Sequence, residues 1–201
     1  MKLYYKPGAC SLAPHIVACE AELPVELVSV DLAQKKLEDG SDYFAVNPNG
    51  YVPALDIGDG PVLTEASVVV QYLADQKPET GLMPRSGENA RYRAKQWLAF
   101  ISTELHKQFS PLFKPNTPEA TKEIQKELLA KRFAFVDKAL EGKTYLMGDT
   151  FTAPDAYAFT VLGWANRLGL DMTAYTNIAR FMDATAARPA VRRALREEGL
   201  A

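Results

Sequence analysis

Cysteine and histidine are scarce in this sequence, with only two of each among 201 residues. Cys10 and Cys19 are too few for a disulfide framework. On one helix they would stand about 13 Å apart, from a rise of ~1.5 Å per residue, whereas a disulfide needs Cα atoms within about 7 Å. We therefore expect two free thiols, as is usual in a reducing compartment. The cysteines and histidines also lack the spacing of metal ligands, so no metal is predicted.

The sequence also lacks a large excess of charge of either sign and any long apolar run. The net charge is −2 at pH 7, which argues against a nucleic-acid partner. No apolar stretch reaches the roughly 20 residues that span a bilayer. Lys6, Pro7 and Gly8 interrupt the first apolar run, unlike a signal peptide. The sequence predicts a cytoplasmic protein with neither a membrane nor a nucleic-acid partner.

Strand and helix patterns alternate in the N-terminal part of the chain. They predict strands at 2–6 and 25–32, a helix at 11–21 between them, a hairpin around Gly-Asp-Gly at 52–64 and a helix at 65–76. A strand, a helix and a second strand in this order imply parallel strands. Ser11 is the predicted N-cap of the first helix, and the polar residues 33–50 predict a loop.

Only helical patterns follow the Pro- and Gly-rich residues 77–89, which are typical of a linker. They predict a long amphipathic helix over 94–112, further helices at 119–140 and 152–170, and two short helices at the end of the chain. Residues 152–170 are apolar on almost all sides, so this helix should be buried, with Thr152 and Asp155 capping its start. The fold predicted from these patterns is an α/β N-terminal domain (βαβ-ββα, mixed sheet) over 1–80, followed by an all-α helical bundle over 87–201.

The stretch PGACSLAPH places Cys10 between a turn and the start of a helix. Backbone N–H groups at a helix N-terminus carry partial positive charge, which lowers the pKa of a thiol. The same geometry would hold the sulfur of a bound thiol. A small buried apolar residue fits the position equally well. Cys19 lies inside the helix and is expected to fill the core.

Three further stretches carry candidate binding groups. In GYVPAL, Pro53 can be a cis-proline that leaves the backbone of Val52 free to bind an extended peptide, although an edge-strand proline fits as well. In TEAS, the start of a helix can bind an anion and Glu65 an ammonium group, although an ordinary helix start is the simpler interpretation. His106 lies at the edge of the apolar stripe, where it is either a proton carrier or a surface residue, and His15 is expected to be structural.

In this order, the segments YYKPGACSLAPHI, NPNGYVPAL, LTEASVVVQYLAD, QWLAFISTELHKQFSPLF and FTAPDAYAFTVLGW resemble the cytosolic glutathione transferases, most of all their bacterial beta class. The resemblance covers essentially the whole chain. It implies a thioredoxin-like N-terminal domain that binds glutathione (γ-Glu-Cys-Gly) as co-substrate. It also implies a helical domain with a pocket for a small-molecule electrophile, and a homodimer.

The resemblance further implies roles for individual residues. Cys10 would lie near the glutathione sulfur and be able to form a mixed disulfide with it, and His106 would approach the same sulfur as the second catalytic residue. The implied substrate-binding residues are Lys35 for the glycine carboxylate, Val52 before cis-Pro53 for the cysteinyl backbone, Glu65 and the amide of Ala66 for the γ-glutamyl end, and Ser67, Ala99, Thr103, Glu104 and Lys107 around the site or across the dimer interface. Two positions depart from the family pattern, because many transferases have Ser at Ala66 and Asn at Ala99.

The predicted function is conjugation of the glutathione thiolate to hydrophobic, xenobiotic electrophiles in a pocket lined by Phe109, Phe113 and Trp164. Two alternatives remain open. One is glutathione-dependent thiol–disulfide exchange or reductive dehalogenation, in which glutathione would be the resolving thiol because no C-x-x-C is present. The other is non-enzymatic binding of apolar ligands between the two domains.

Overall fold

A four-stranded mixed sheet and eight helices build the fold, which a computed structural model describes over residues 1–201. The strands are β1 (Lys2–Tyr5), β2 (Glu26–Asp31), β3 (Lys36–Leu37) and β4 (Ala54–Asp56). The helices are α1 (Leu12–Glu20), α2 (Ala66–Asp75), α3 (Asn89–Phe100), α4 (Lys107–Phe113), α5 (Glu119–Ala139), α6 (Ala153–Arg167), α7 (Thr176–Ala186) and α8 (Pro189–Glu197). The architecture is the predicted one: a thioredoxin-like α/β part followed by a helical part. None of the helices combines the length and the apolar character that crossing a bilayer requires.

The sheet has the strand order β3-β2-β1-β4, with β1 parallel to β2 and antiparallel to β4. The parallel pairing confirms the predicted βαβ unit, since α1 carries the chain from one end of β1 back to the start of β2. The predicted hairpin is reduced to β4 and one antiparallel bridge between Leu55 and Leu63. Residues 33–50 also contain β3, which at two residues is too short to show an alternating pattern.

Helix α1 lies between the α/β part and the helical part. Every residue from Leu12 to Cys19 is buried, and the helix packs against α2, α6 and α8. One apolar cluster accordingly runs from Leu3 in β1 to Ala194 in α8. The loop that precedes α1 is therefore held between the two parts of the chain.

The predicted long helix is interrupted. α3 ends at Phe100, a π-helical turn covers Ile101–His106, and α4 continues to Phe113. A π-turn places an extra residue in one turn of the helix and changes the direction of the side chains that follow, and such turns are frequent at functional sites. His106 is the last residue of this turn.

The central helix α6 is buried on nearly all sides, as its apolar pattern predicts. Its start carries the predicted capping box of Thr152 and Asp155. The N–H and the hydroxyl of Thr152 donate to the Asp155 carboxylate, at 2.8 Å and 2.6 Å. Asp155 also accepts the N–H of Leu146 at 2.8 Å. A helix anchored in this way can present Tyr157 and Trp164 at fixed positions.

Candidate active site

Cys10 lies in the turn two residues before α1, and its side chain is 9% exposed. Its thiol donates to the backbone carbonyl of Val52, with Sγ and O separated by 3.1 Å. Ser11 caps no helical N–H, contrary to the prediction. Its hydroxyl instead accepts the N–H of Lys6 at 3.2 Å and lies 3.3 Å from the Lys6 carbonyl. Ser11 therefore closes the turn that carries Cys10.

The surroundings of Cys10 favour its protonated thiol. Burial raises the pKa of Cys10 to about 12, and the nearby charge of Glu65 acts in the same direction. The backbone N–H groups of Cys10 and Ser11 oppose this shift but do not outweigh it. The prediction of a lowered pKa is therefore wrong for this structure, because loss of hydration exceeds the favourable field at the start of α1.

The Val52 peptide lies directly beside the thiol. The Val52–Pro53 bond is cis, and both residues are buried. The carbonyl of Val52 accepts the Cys10 thiol, while its N–H makes no hydrogen bond within the chain. The carbonyl of Val52 thus faces Cys10, and the same residue has an unpaired N–H, so an extended peptide can pair with both groups.

The start of α2 offers unpaired donors next to a carboxylate. The N–H groups of Ala66 and Ser67 make no hydrogen bond within the chain, as is usual for the first turn of a helix. Glu65 precedes them with φ +62°, an unfavourable conformation for a side chain other than Gly. Its carboxylate is exposed and in no ion pair, yet it is near enough to raise the pKa of Cys10. This end of the site can bind a group that carries both an ammonium and a carboxylate.

Lys35 provides a cation on the other side of Val52. Its Nζ donates to the carbonyl of Gly50 at 2.7 Å and lies 5.5 Å from the centre of the Tyr51 ring. Its backbone has φ +57°. The residues from Gly50 to Val52 therefore run from a lysine ammonium towards the Cys10 thiol.

His106 belongs to the helical part and is held by two aromatic residues of α6. Its Nδ1 lies 2.6 Å from the hydroxyl of Tyr157, and its ring packs edge-on against Trp164 with centroids 4.8 Å apart. Burial and then the charge of Lys107 lower the pKa of His106 to about 4. His106 is therefore a neutral imidazole near pH 7.

Tyr157 is a residue of the site that sequence analysis did not identify. Burial raises the pKa of Tyr157, and the nearby Glu65 carboxylate acts in the same direction, so its hydroxyl keeps its proton and is paired with His106 Nδ1. In the sequence, Tyr157 cannot be distinguished from the other apolar residues of this buried helix. Only its hydroxyl, which a buried tyrosine normally pairs with a partner, hinted at a polar neighbour.

Gly8 joins the Cys10 turn to the helical part. Its N–H donates to Glu198 Oε2 at 2.9 Å. Its carbonyl accepts Trp164 Nε1 at 2.9 Å and Arg167 Nη1 at 3.0 Å. Both backbone groups of one turn residue are thus paired with side chains more than 150 residues away. The helical part fixes the position of the turn that carries Cys10.

The remaining predicted substrate-binding residues lie around the π-turn. Ala99 is exposed, and its carbonyl accepts the Thr103 hydroxyl at 3.1 Å. Glu104 pairs with Arg132 of α5 at 2.6 Å, and Lys107 is exposed beside His106. No hydrogen bond or ion pair links these four residues to Cys10, Val52 or Glu65. Their roles stay predictions.

Only part of the predicted aromatic lining of the electrophile pocket is accessible. Trp164 packs edge-on against Phe109 and Phe113, with centroids 5.6 Å and 5.4 Å apart. Phe109 is fully buried, so it supports the lining but cannot contact a ligand. Phe113 is 46% exposed and is the member that can.

Comparison with known proteins gives matches along the chain. Residues 8–76 match the glutathione S-transferase N-terminal domain family, and residues 100–189 match the C-terminal domain family. The glutathione S-transferase GstA of Escherichia coli O157:H7 is 50% identical over 200 residues, which cover all of both chains. A sphingomonad glutathione S-transferase solved in complex with glutathione is 44% identical, with a TM-score of 0.96 and full coverage of both chains.

A bacterial beta class glutathione S-transferase from Sphingomonas chungbukensis is similar to the same extent, with 43% identity, a TM-score of 0.96 and full coverage of both chains. Relatives of this identity that match from end to end indicate common family membership as well as a common fold. Together with the two domain matches, they show that the chain belongs to the glutathione S-transferase family.

Proposed function

We propose that this glutathione transferase holds glutathione along Gly50–Val52 and the start of α2, with its sulfur facing Cys10, and transfers the thiolate to a hydrophobic electrophile. One observation carries the proposal. The carbonyl oxygen of Val52, a residue whose N–H is unpaired, lies 3.1 Å from the sulfur of Cys10, the only thiol of the site. A cysteine-containing peptide that paired with Val52 would bring its own sulfur next to Cys10.

The other groups of the site match the two ends of glutathione. The N–H groups of Ala66 and Ser67 suit the α-carboxylate of the γ-glutamyl residue, and the Glu65 carboxylate suits its ammonium group. Lys35 suits the glycine carboxylate at the opposite end. The tripeptide would thus lie with its cysteinyl residue at Val52, between a negative side chain and a positive one.

Pairing with Val52 would also change the bonding of Cys10. The cysteinyl N–H of glutathione would take the Val52 carbonyl that the Cys10 thiol now occupies. The displaced S–H would then donate to the glutathione sulfur. A protonated Cys10 is suited to this role, because a hydrogen bond to the charged form of a neighbouring thiol lowers the pKa of that thiol.

His106 would supply a second donor. Tyr157 keeps its proton, since burial raises its pKa, and it would donate to His106 Nδ1. The imidazole proton then resides on Nε2, which can donate to the glutathione thiolate. The thiol proton of glutathione leaves to solvent, the thiolate attacks the electrophilic carbon, and a halide departs as the anion when the substrate is an aryl halide.

Thiol–disulfide exchange is a second candidate, favoured by the Cys10 thiol itself. The Cys10 thiolate would attack a mixed disulfide between glutathione and another thiol, forming a Cys10–glutathione mixed disulfide and releasing the other thiol as a thiolate. A second glutathione would then attack the mixed disulfide, releasing glutathione disulfide and restoring Cys10. The raised pKa of Cys10 keeps the thiolate fraction small near pH 7, which favours conjugation over exchange.

We also propose that the chain assembles as a homodimer. Tyr51 and Tyr92 are 70% and 65% exposed, and large exposed aromatic residues are enriched at protein interfaces. The Thr103–Lys107 region would then complete the site of the partner subunit. Sedimentation equilibrium at micromolar concentration would give twice the chain mass, and a single-chain mass would refute the dimer.

Binding of two ligands tests the proposed function. One is glutathione, and the other is glutathione methylated on its cysteinyl amide nitrogen, which cannot donate to the Val52 carbonyl. Calorimetry should show affinity at least about tenfold weaker for the methylated ligand, from a lost hydrogen bond of about 1 kcal/mol together with steric conflict. Turnover of a nitro-activated aryl chloride should fall in parallel.

Equal affinity for the two ligands would contradict the proposed pose. Two further outcomes separate the alternatives. Faster reduction of a mixed disulfide than conjugation of the aryl chloride would favour thiol exchange as the main activity. Tight binding of apolar ligands without glutathione turnover would favour the non-enzymatic binder.

A further inference from the structure

A cluster of three potential metal ligands lies between α1 and α8. His15 and Cys19 are one turn apart on α1, and Glu197 ends α8. Their ligand atoms all lie within 4.8 Å of one another. His15 Nε2 and Glu197 Oε2 are 2.8 Å apart, and Cys19 Sγ lies 4.0 Å from the same oxygen. None of these residues is assigned to glutathione.

A buried carboxylate orients the histidine of this cluster. His15 Nδ1 lies 3.0 Å from Glu198 Oε1, and the side chain of Glu198 is fully buried. Its other oxygen accepts the N–H of Gly8 at 2.9 Å, so the carboxylate cannot rotate freely. Metal-binding histidines almost always donate their second ring nitrogen to such a carboxylate. This leaves Nε2 pointing at Cys19 and Glu197 as the ligand atom.

We propose that His15, Cys19 and Glu197 bind a thiophilic divalent cation of the zinc class. Imidazole nitrogen, thiolate sulfur and carboxylate oxygen are all zinc ligands, and three protein ligands with water as the fourth is the arrangement of open zinc sites. Zn–N and Zn–O bonds of about 2.0 Å and a Zn–S bond of about 2.3 Å place tetrahedral ligands roughly 3.3–3.6 Å apart. The observed 2.8 Å and 4.0 Å separations bracket this range.

The cluster can also accept and release the ion. The Glu197 side chain is 37% exposed, whereas that of His15 is 3% exposed, so Glu197 forms the solvent side of the site. Binding would displace the proton between His15 and Glu197 and the thiol proton of Cys19, and both protons would leave to solvent. The sequence prediction of no metal did not include this cluster, because Glu197 lies 178 residues after Cys19.

Cadmium binding tests the proposal, because a Cd²⁺–thiolate bond produces an ultraviolet charge-transfer band. The experiment uses the reduced full-length chain with Cys10→Ala, so that Cys19 is the only thiol present. We expect one Cd²⁺ per chain, displaced by Zn²⁺, and a thermal midpoint raised by either ion. Adding Cys19→Ala should abolish the band.

Glu197→Gln provides a test that leaves the core intact, because this side chain lies at the surface. We expect Cd²⁺ affinity to fall roughly 10-fold or more, by comparison with the effects of altering groups around metal sites. The matched control is Glu127→Gln, which removes an exposed carboxylate of α5 and should change nothing. Absence of the band in the Cys10→Ala chain, or a band that Glu197→Gln leaves unchanged, would overturn the proposal. Folding of each variant is checked by circular dichroism, and if the Cys19→Ala chain does not fold, the Glu197→Gln result decides.

Discussion

The Cys10 thiol donates its hydrogen bond to the carbonyl of Val52 across 3.1 Å. This one contact links the turn before α1 to the segment before β4, and it occupies the acceptor that a bound peptide would need. In the proposed pose, ligand binding and the hydrogen bonding of Cys10 are therefore coupled. The proposal gives Cys10 two separable roles, as a donor to a bound sulfur and as a nucleophile for exchange.

Cys10→Ala separates these roles. We expect the mixed disulfide with glutathione to disappear, since the thiol is gone. Conjugation of an aryl chloride should persist at a reduced rate, because Val52, Ala66 and His106 remain. Intact-mass analysis after treatment with glutathione disulfide measures the first effect, and steady-state kinetics the second.

Cys19→Ala is the matched control for this experiment, since it removes the other buried thiol of the chain. It should retain glutathionylation at Cys10. Peptide mapping that places the modification on Cys19 would show that the roles of the two cysteines have been assigned the wrong way round.

Tyr157→Phe tests the orientation of His106. The change removes a hydroxyl 2.6 Å from His106 Nδ1 while keeping the ring that packs against it. A hydrogen bond of about 0.5–1.5 kcal/mol corresponds to a loss in kcat of roughly threefold to tenfold, with little change in the KM for glutathione. Tyr175→Phe, which removes a hydroxyl bonded to the Ala130 carbonyl, is the control and should keep its kcat. Equal effects of the two variants would argue against a specific role for Tyr157.

Gly8→Ala tests how firmly the helical part holds the Cys10 turn. Gly8 has φ +68°, and an added Cβ would lie 2.6 Å from Arg167 Nη1. Gly81 has φ +69° with nothing within 4 Å of an added Cβ, so Gly81→Ala carries the backbone strain alone. Both variants should lose about 1–2 kcal/mol of unfolding free energy.

The unfolding free energy of Gly8→Ala should fall by roughly 1 kcal/mol more than that of Gly81→Ala, because Arg167 must leave the Gly8 carbonyl. Its KM for glutathione should also rise, since the displaced turn carries Cys10. Denaturant titration and kinetics measure the two effects. If Gly81→Ala raised the KM equally, the contact between Gly8 and Arg167 would not be the cause.

His106 should make stability depend on pH. Burial and then the charge of Lys107 lower its pKa to about 4, below the usual value of about 6.5. The folded state therefore favours the neutral ring. The stability that this provides is present above about pH 6.5 and is lost as the pH falls through about 4, by at most about 3 kcal/mol.

His106→Gln should remove this part of the pH dependence. Asp155, whose pKa burial raises to about 6, acts in the opposite direction but is present in both proteins, so it cancels in the comparison. Denaturant titrations between pH 4 and pH 7 at one protein concentration supply the data. Parallel curves for the two proteins would contradict the assigned pKa of His106.

The parts of the fold that follow from local patterns could be predicted, and the exceptions have physical causes. α6 could be placed because a helix without a polar face has to be buried. β3 could not, because two residues show no alternation. The π-turn could not either, because its apolar spacing is close to that of an ordinary helix.

In the candidate site, too, only residues with a local sequence signal could be predicted. Cys10 and Pro53 stood out because a thiol or a proline at a turn is chemically conspicuous. Tyr157 did not, because its ring satisfies the apolar pattern of α6 and hides its hydroxyl. The contact between Gly8 and Glu198 joins residues 190 positions apart, which no local pattern indicates. The pKa of Cys10 was predicted in the wrong direction because burial cannot be judged from the start of a helix alone.

A crystal structure of the chain with glutathione is the most direct test of the central claim, that the Val52 peptide brings the glutathione sulfur to Cys10. We predict both main-chain groups of Val52 paired with the cysteinyl residue, and the glutathione sulfur within about 3.5 Å of Cys10 Sγ, the range of a near-attack contact. Glutathione bound elsewhere, with the Cys10 thiol still donating to the Val52 carbonyl, would contradict the claim.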